Sequence, residues 1–444
     1  MEMFEQAVAA AAGFIWGAPV LILLVGTGLF LTIRLRGLQF RALGHAFKLI
    51  WHRNDECEGD ISHFAALMTA LAATVGIGNI VGVATAIALG GPGAVFWMWT
   101  IGLIGMATKY SEAVLAVKYR VKGSNGMKGG PMYYISEGAG LPWLGAAFAV
   151  FTAVAAFGIG NMVQSNAVAS ALQGQFALPT WVTGIVLTIL SGVVILGGIK
   201  SIARFTSVLV PFMIAGYVLG ALAIIVLNLD KVPGAFGLIF THAVTPIAAG
   251  GGFVGATVAA AIRYGVARGV FSNESGLGSA PIAAAAAKTD SPTRQALVSM
   301  TQTFIDTLVV CTMTALVILM APQWQEGVAA GELTMASFTH FLGVAGTVIV
   351  TAATVLFAYS TLIGWGYYGE KAIEYLFGEG HIRYYRVVFV LMIFVGAVLK
   401  LELVWNISDL FNGLMIIPNL IGLLLLHKVI VGETERYFGG NAKQ

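Results

Sequence analysis

Two short stretches of this chain carry the residue types that could hold a small ionic solute. The first is Thr74-Val75-Gly76-Ile77-Gly78-Asn79 and the second is Phe271-Ser272-Asn273-Glu274-Ser275-Gly276-Leu277-Gly278. Both are rich in glycine and small polar residues, yet both lie inside hydrophobic segments. Unwound backbone is tolerated at membrane depth only where protein or a watery cavity satisfies its N–H and C=O groups. At the first stretch, the free N–H groups of Gly76, Gly78 and their neighbours would face a carboxylate, with the positive end of the following helix behind them. The carbonyls ending the preceding half-helix, near Ala72 and Val75, would favour a cation. Glycine also serves close helix packing in membranes, and that plainer reading stands beside the first. A matched pair of interruptions in the two halves of a chain points to a transporter's binding site.

Other polar residues lie at membrane depth. The second stretch offers backbone carbonyls and the Asn273 side chain to an ammonium group. Glu274 is costly there if ionised and unpaired, and Arg263 and Arg268 are its nearest candidate partners in sequence. Asn161, Gln164 and Asn166 interrupt another apolar run; Gln164 can both donate and accept, so it could meet either end of an amino acid. Polar side chains also bridge packed helices, and for the two asparagines that role is as strong. Ser360 and Thr361 offer hydroxyl oxygens, the ligand type hard cations take, although such hydroxyls commonly bond carbonyls of their own helix. Lys109 and Glu112, three residues apart, read as a structural ion pair. Asp306 reads equally as part of an ion path or as a hydrogen-bonded helix lock.

The elements that must position these residues are membrane helices. The chain is 58% hydrophobic and only 10% charged, with mean hydropathy +0.86, against roughly 25% charged residues in soluble domains. Its apolar runs lack the alternation of barrel strands. Runs of about 20 residues predict eleven spans, near 14–33, 62–90, 93–117, 143–170, 180–199, 206–228, 254–287, 296–320, 336–366, 386–400 and 405–427. Glu2 and Glu5 precede the first run and the basic residues follow it, which suits an N-terminus-outside anchor rather than a cleaved signal. With the N-terminus outside, nineteen basic residues, Arg53 and Lys443 among them, fall on the cytoplasmic side, against Lys231 and Lys400 outside. The chain then divides into 1–60, an N-terminal helix and basic loop; 61–230 and 231–428, two five-helix groups facing opposite ways; and a cytoplasmic tail, 429–444. The glycine breaks fall in the first helix of each group, which fits an inverted repeat.

Several activities find no support. Gly192 to Ser201 resembles a phosphate loop only superficially, because Ile199 separates the glycines from Lys200. The histidines show no metal-ligand spacing, no catalytic constellation emerges, and a net charge of +3 does not suggest nucleic acid. Nothing points to ATP-driven transport. Cys57 and Cys311 cannot form a disulfide framework.

The run Ala70 to Ile80 with Gly90-Gly91-Pro92-Gly93-Ala94, the run Gly158 to Asn166, and Arg268 to Glu274 together resemble the alanine or glycine:cation symporter family. The first region is also similar to the broken first core helix of leucine-transporter-fold proteins. The resemblance runs along the chain. It implies an all-α polytopic fold of eleven helices, with a five-plus-five inverted repeat after the first. It also implies residence in the inner membrane of a prokaryote and uptake of a small amino acid, alanine or glycine, coupled to sodium. Carried over residue by residue, sodium would be held by the Ala72 and Val75 carbonyls with Ser360 and Thr361. The substrate would meet Thr74, Gly76, Gly78, Asn79, Gln164 and Asn273, with Phe271 and Trp365 limiting its size. A proton-coupled carrier of the same fold, using Asp306 or Glu274, is the nearest rival. A channel and an intramembrane enzyme are more distant ones.

Overall fold

The computed structural model describes residues 2–52, 56–124, 126–248, 253–399 and 402–440. Arg53, Lys400 and Lys443 of the charge argument lie outside them. The described chain is helical almost throughout, as a bilayer requires of backbone that must satisfy its own polar groups; the short antiparallel pair Val121–Gly123 and Gly126–Lys128 is the exception. Among the described residues, seven helices are long and apolar enough to cross a membrane. His63–Thr74 with Ile77–Gly90, bent by 61° at the first glycine break, makes an eighth. Ala94–Lys118 is long but carries Lys109 and Glu112, while Thr180–Ile195 is apolar but short.

Several helix limits differ from the sequence expectation, each for a local reason. The first run is two helices, Glu2–Ile15 and Ala18–Arg34, because Gly17 is extended and Pro19 opens the second. The run 336–366 is not one span: Gly343, at φ 58°, separates Ala330–Leu342 from Val344–Phe377. The latter's 34 residues make a rod of about 51 Å at 1.5 Å per residue. In the run 254–287 the helix begins only at Val258, where the Thr257 hydroxyl accepts the Ala260 N–H at 3.1 Å. After the second break, helix resumes only for Pro281–Ala285. The last run is divided at Met415 into Glu402–Leu414 and Ile416–Leu425, and the helix His427–Gly440 follows.

Val344–Phe377 is the rod against which the first break is set. It packs on His63–Thr74, Pro142–Phe157, Val163–Phe176 and Gly198–Leu227. Lipid tails are as apolar as leucine, so such crossings depend on close packing of small residues. At the crossing with His63–Thr74, a Cβ on Gly364 would lie 2.8 Å from the Ala73 backbone nitrogen. Val258–Asn273 and Pro292–Thr303 both pack along Ala94–Lys118. At the face bearing the hairpin, Arg120 donates to the carbonyls of Glu58, Ala285, Ala287 and Thr289 at 2.6–3.2 Å. Ile61 and Ala287 form a parallel bridge beside it. The N-terminal end of one broken helix is thus pinned to the C-terminal end of the other.

Gly364→Ala is expected to force the two helices apart, because the obstruction is backbone rather than a flexible side chain. Overpacking of this kind costs about 1–3 kcal/mol. A lowered melting temperature in detergent checks it, with Gly380→Ala, which meets nothing within 4 Å, as the neutral control.

Candidate functional site

The helix His63–Thr74 stops because Val75 (ψ 89°) and Gly76 (φ −135°, ψ −155°) leave helical conformation. The Gly76 N–H turns to Asn79 Oδ1 at 2.9 Å, so the Ala72 carbonyl loses the partner a continuing helix would supply. Ser360 Oγ lies 3.1 Å from Ala72 O, 3.4 Å from Val75 O and 2.8 Å from Phe357 O. A hydroxyl has one proton, so it satisfies one of these oxygens at a time. Carbonyl oxygens thus outnumber the protons beside the buried Ser360 hydroxyl, and oxygens are the ligand type hard cations take. Thr361 donates to Phe357 O at 3.0 Å and turns its oxygen toward Gly76, where a Cβ would lie 2.5 Å from Oγ1.

Gln164 reaches the same place from across the bundle. The chain winds as a π-helix over Gly158–Met162, and Gln164 Nε2 donates to Ile159 O at 2.9 Å. Its Oε1 is buried without a partner, on the side of Gly76. Such an orphaned acceptor costs about 1–3 kcal/mol, which a donor on a bound solute would recover. Asn161 and Asn166 instead bridge helices, donating to Phe389 O and to the Gly396 and Leu399 carbonyls.

The two breaks meet at Asp306. Its carboxyl accepts Asn79 Nδ2 at 2.7 Å, Ser272 Oγ at 2.9 Å and Thr307 Oγ1 at 2.9 Å. Asp306 is fully buried in a π-helical segment, Phe304–Cys311. A Cβ on Gly78 would lie 3.2 Å from Ser272 Cα and 3.3 Å from the Phe271 ring, so the backbones approach closely here. Phe271 is half-buried.

Asn273 spends both ends of its amide inside the protein: Nδ2 donates to Thr307 Oγ1 at 3.0 Å and Oδ1 accepts Ser275 N–H at 2.9 Å. Thr74 is turned toward Gln302, whose Nε2 donates to it at 3.0 Å, and bonds Ala70 O. The structure thus gathers Ala72, Val75, Gly76, Gln164, Ser360 and Thr361 in one group. Gly78, Asn79, Phe271 and Ser272 lie in a second group around Asp306, which Asn273 joins through Thr307, while Thr74 points elsewhere.

Glu274 does not pair with Arg263 or Arg268. Its carboxyl accepts Trp365 Nε1 at 2.9 Å and Ser279 Oγ at 2.5 Å, and its carbonyl accepts Lys109 Nζ at 2.9 Å. The arginines lie over the Tyr264 and Phe271 rings instead. The reason is local: Glu274 sits at φ 57°, a left-handed turn that carries its side chain off the arginine-bearing helix. Lys109 and Glu112 do pair, at 3.7 Å, and Glu112 Oε1 also accepts the Gly276 and Gly278 N–H groups and Asn419 Nδ2 at 2.6–3.2 Å. The sequence does not disclose this role of Glu112 or any role for Ser272 and Gln302, and it leaves Asp306 open between an ion path and a helix lock; the bonds to Asn79, Ser272 and Thr307 are those of a lock. The four-residue step from Gln302 to Asp306, one helical turn in an apolar span, was the available signal.

Asp306→Ala would remove the carboxylate from the Asn79, Ser272 and Thr307 donors. Asn79 and Ser272 keep the weaker acceptor Cys311 Sγ nearby, at 3.3 and 3.4 Å, and an orphaned buried donor costs about 1–3 kcal/mol. We expect it to lower the melting temperature more than Ser272→Ala, which removes one of those donors. Thermal unfolding of both variants in the same detergent checks the order.

The sodium:alanine symporter family matches this chain over residues 1–444. The chain is 56% identical over 447 residues to the sodium/alanine symporter AgcS of Methanococcus maripaludis, covering 98% of this chain and 97% of that one. It is 54% identical over 438 residues to an uncharacterized transporter of Haemophilus influenzae, covering 98% and 96%. Among solved structures, MhsT in complex with L-phenylalanine superposes with a TM-score of 0.56 at 14% identity, over 81% of this chain and 89% of that one, a likeness of leucine-transporter fold. With the whole chain matched and these identities, the protein is a multi-pass membrane transporter, not an enzyme, and belongs to the sodium:alanine symporter family.

Proposed function

We propose that this protein takes up alanine or glycine together with sodium by alternating access. The observation that carries the reading is the set of oxygens beside Gly76: two helix-end carbonyls and the Ser360 hydroxyl with one proton to share, next to the orphaned Gln164 Oε1. Sodium would sit among Ala72 O, Val75 O, Ser360 Oγ and Thr361 Oγ1. The substrate carboxylate would lie at the first break, where the Gly76 N–H would have to leave Asn79 Oδ1 to join the Gly78 amide in meeting it, and Gln164 Oε1 would take its ammonium. Asn273 contributes after rotation of its amide away from Thr307, and Thr74 through the backbone. Trp365 and Phe271 bound the side-chain space. The identity to a sodium/alanine symporter supports alanine as the substrate.

Eleven spans in a five-plus-five inverted repeat, with the N-terminus outside, account for the breaks recurring near Gly76 and Gly276. In this frame the pinned ends at Ile61 and Ala287 lie on the cytoplasmic side, and Arg120 must release them for the site to open inward. A zwitterion adds no net charge, so each sodium entering with it moves one charge. The membrane potential supplies about 2.3 kcal/mol per charge per 100 mV.

Proteoliposomes should accumulate alanine only with external sodium, and faster with the interior negative; uptake unchanged in choline would refute sodium coupling. Ser360→Ala is expected to raise the sodium concentration for half-maximal uptake about tenfold, near 1.4 kcal/mol. Gln164→Ala should instead raise the alanine KM at saturating sodium. Uptake driven equally by a proton gradient without sodium would favour the rival ion.

A further inference from the structure

A charged cavity lies apart from these breaks. The helix Ala18–Arg34 ends in two consecutive left-handed residues, Arg36 at φ 55° and Gly37 at φ 65°. A non-glycine residue rarely adopts this conformation, so the turn is held by its surroundings. Gly37 N–H donates to Thr32 O at 2.8 Å, and Gln39 Nε2 donates to Thr32 Oγ1 at 3.0 Å. The turn sets Arg34, Arg36 and Arg41 around a cavity of about 250 Å³, closed on its other side by Val431, Thr434 and Phe438 of His427–Gly440. All three arginines are exposed, and among the described residues none forms an ion pair. Glu433, on the same C-terminal helix, is taken by Lys118 and Arg436. Among the described lining residues Glu435 is the one carboxylate, so the cavity keeps a positive excess.

The same helix presents an apolar path leading to this cavity. Ile22, Gly26 and Leu29 line a groove of about 630 Å³ against Trp97, Ile104 and Ile262. Ile22, Leu29 and Ile33 are 70%, 44% and 73% exposed. The steps of four, three and four residues from Ile22 through Gly26 and Leu29 to Ile33 keep to one helix face. Arg34 follows directly.

We propose that this place binds an anionic phospholipid of the leaflet that borders the basic loops. Its phosphate would sit among Arg34, Arg36 and Arg41, and an acyl chain would lie along Ile33, Leu29 and Ile22. Guanidinium groups match phosphate oxygens in bidentate pairs, and clustered arginines beside a membrane helix favour anionic lipid. The lipid joins Ala18–Arg34 to the C-terminal helix, so its binding stabilises their contact.

The test uses the purified full-length protein in detergent, with its melting temperature followed as dioleoylphosphatidylglycerol, dioleoylphosphatidylcholine or inorganic phosphate is added. Phosphatidylglycerol is expected to raise the midpoint by several degrees beyond phosphatidylcholine, and inorganic phosphate at the same concentration to leave it unmoved. The variant Arg34→Gln/Arg36→Gln/Arg41→Gln should lose that difference. Glu435→Gln, which removes the opposing charge, should bind phosphatidylglycerol several-fold more tightly. Equal shifts from the two lipids, or a triple variant that keeps the preference, would overturn the proposal. A shift reproduced by inorganic phosphate alone would make this a site for a soluble anion and overturn the lipid assignment. Should the triple variant prove unstable in phosphatidylcholine, the Glu435→Gln result decides: unchanged or weaker affinity counts against the site.

Discussion

A buried carboxyl group holding two broken helices together is the constraint on which the rest of this structure depends. Each broken helix exposes backbone groups that hydrocarbon cannot satisfy. Asp306 ties the two breaks together through side chains, accepting Asn79 Nδ2 from the first and Ser272 Oγ from the second. Asn79 completes the relay by accepting the Gly76 N–H with its other end. That bond turns the amide away from Ala72 and leaves the helix-end carbonyls facing Ser360. The cation-favouring oxygens are therefore a consequence of how the first break is tied to Asp306.

The second break is held by a different device. Glu112 gathers the Gly276 and Gly278 amides, and Lys109 meets both the Glu274 carbonyl and the Glu112 carboxyl. Asn419, from the helix Ile416–Leu425, adds a further donor to Glu112. Removing one partner of a buried charged set is strongly destabilising, because it leaves the others uncompensated. The Glu274 carboxyl reaches Trp365, five residues beyond Ser360 on Val344–Phe377. One rigid helix thus touches the oxygen set with one turn and the second break with the next, which gives movements at either place a direct mechanical connection.

Much of this arrangement was legible in the residues. Glycines flanked by small polar residues within apolar runs marked both breaks, because an unwound turn needs residues that tolerate it and groups that solvate it. Ser360 and Gln164 stood out as polar side chains where apolar ones belong. The helix limits were less legible wherever one glycine divided a continuous apolar run: hydropathy passes over Gly17 and Gly343, whereas backbone angles do not. The partners of Glu274 are not legible along the chain, because Arg263 and Arg268 are near in sequence, while Lys109 and Trp365, 165 and 91 residues away, are near in space.

The sequence by itself determined that this chain is a bundle of membrane helices, where those helices unwind, and to which family it bears likeness, since composition and local pattern carry that information. Only the tertiary structure decided which polar groups satisfy one another. It put the Asn273 amide on Thr307 and Ser275, turned Thr74 toward Gln302, and left one oxygen of Gln164 without a partner beside Gly76. Hydrogen bonds act over about 3 Å, so these choices depend on the packing of helices distant in sequence, which no spacing along the chain encodes.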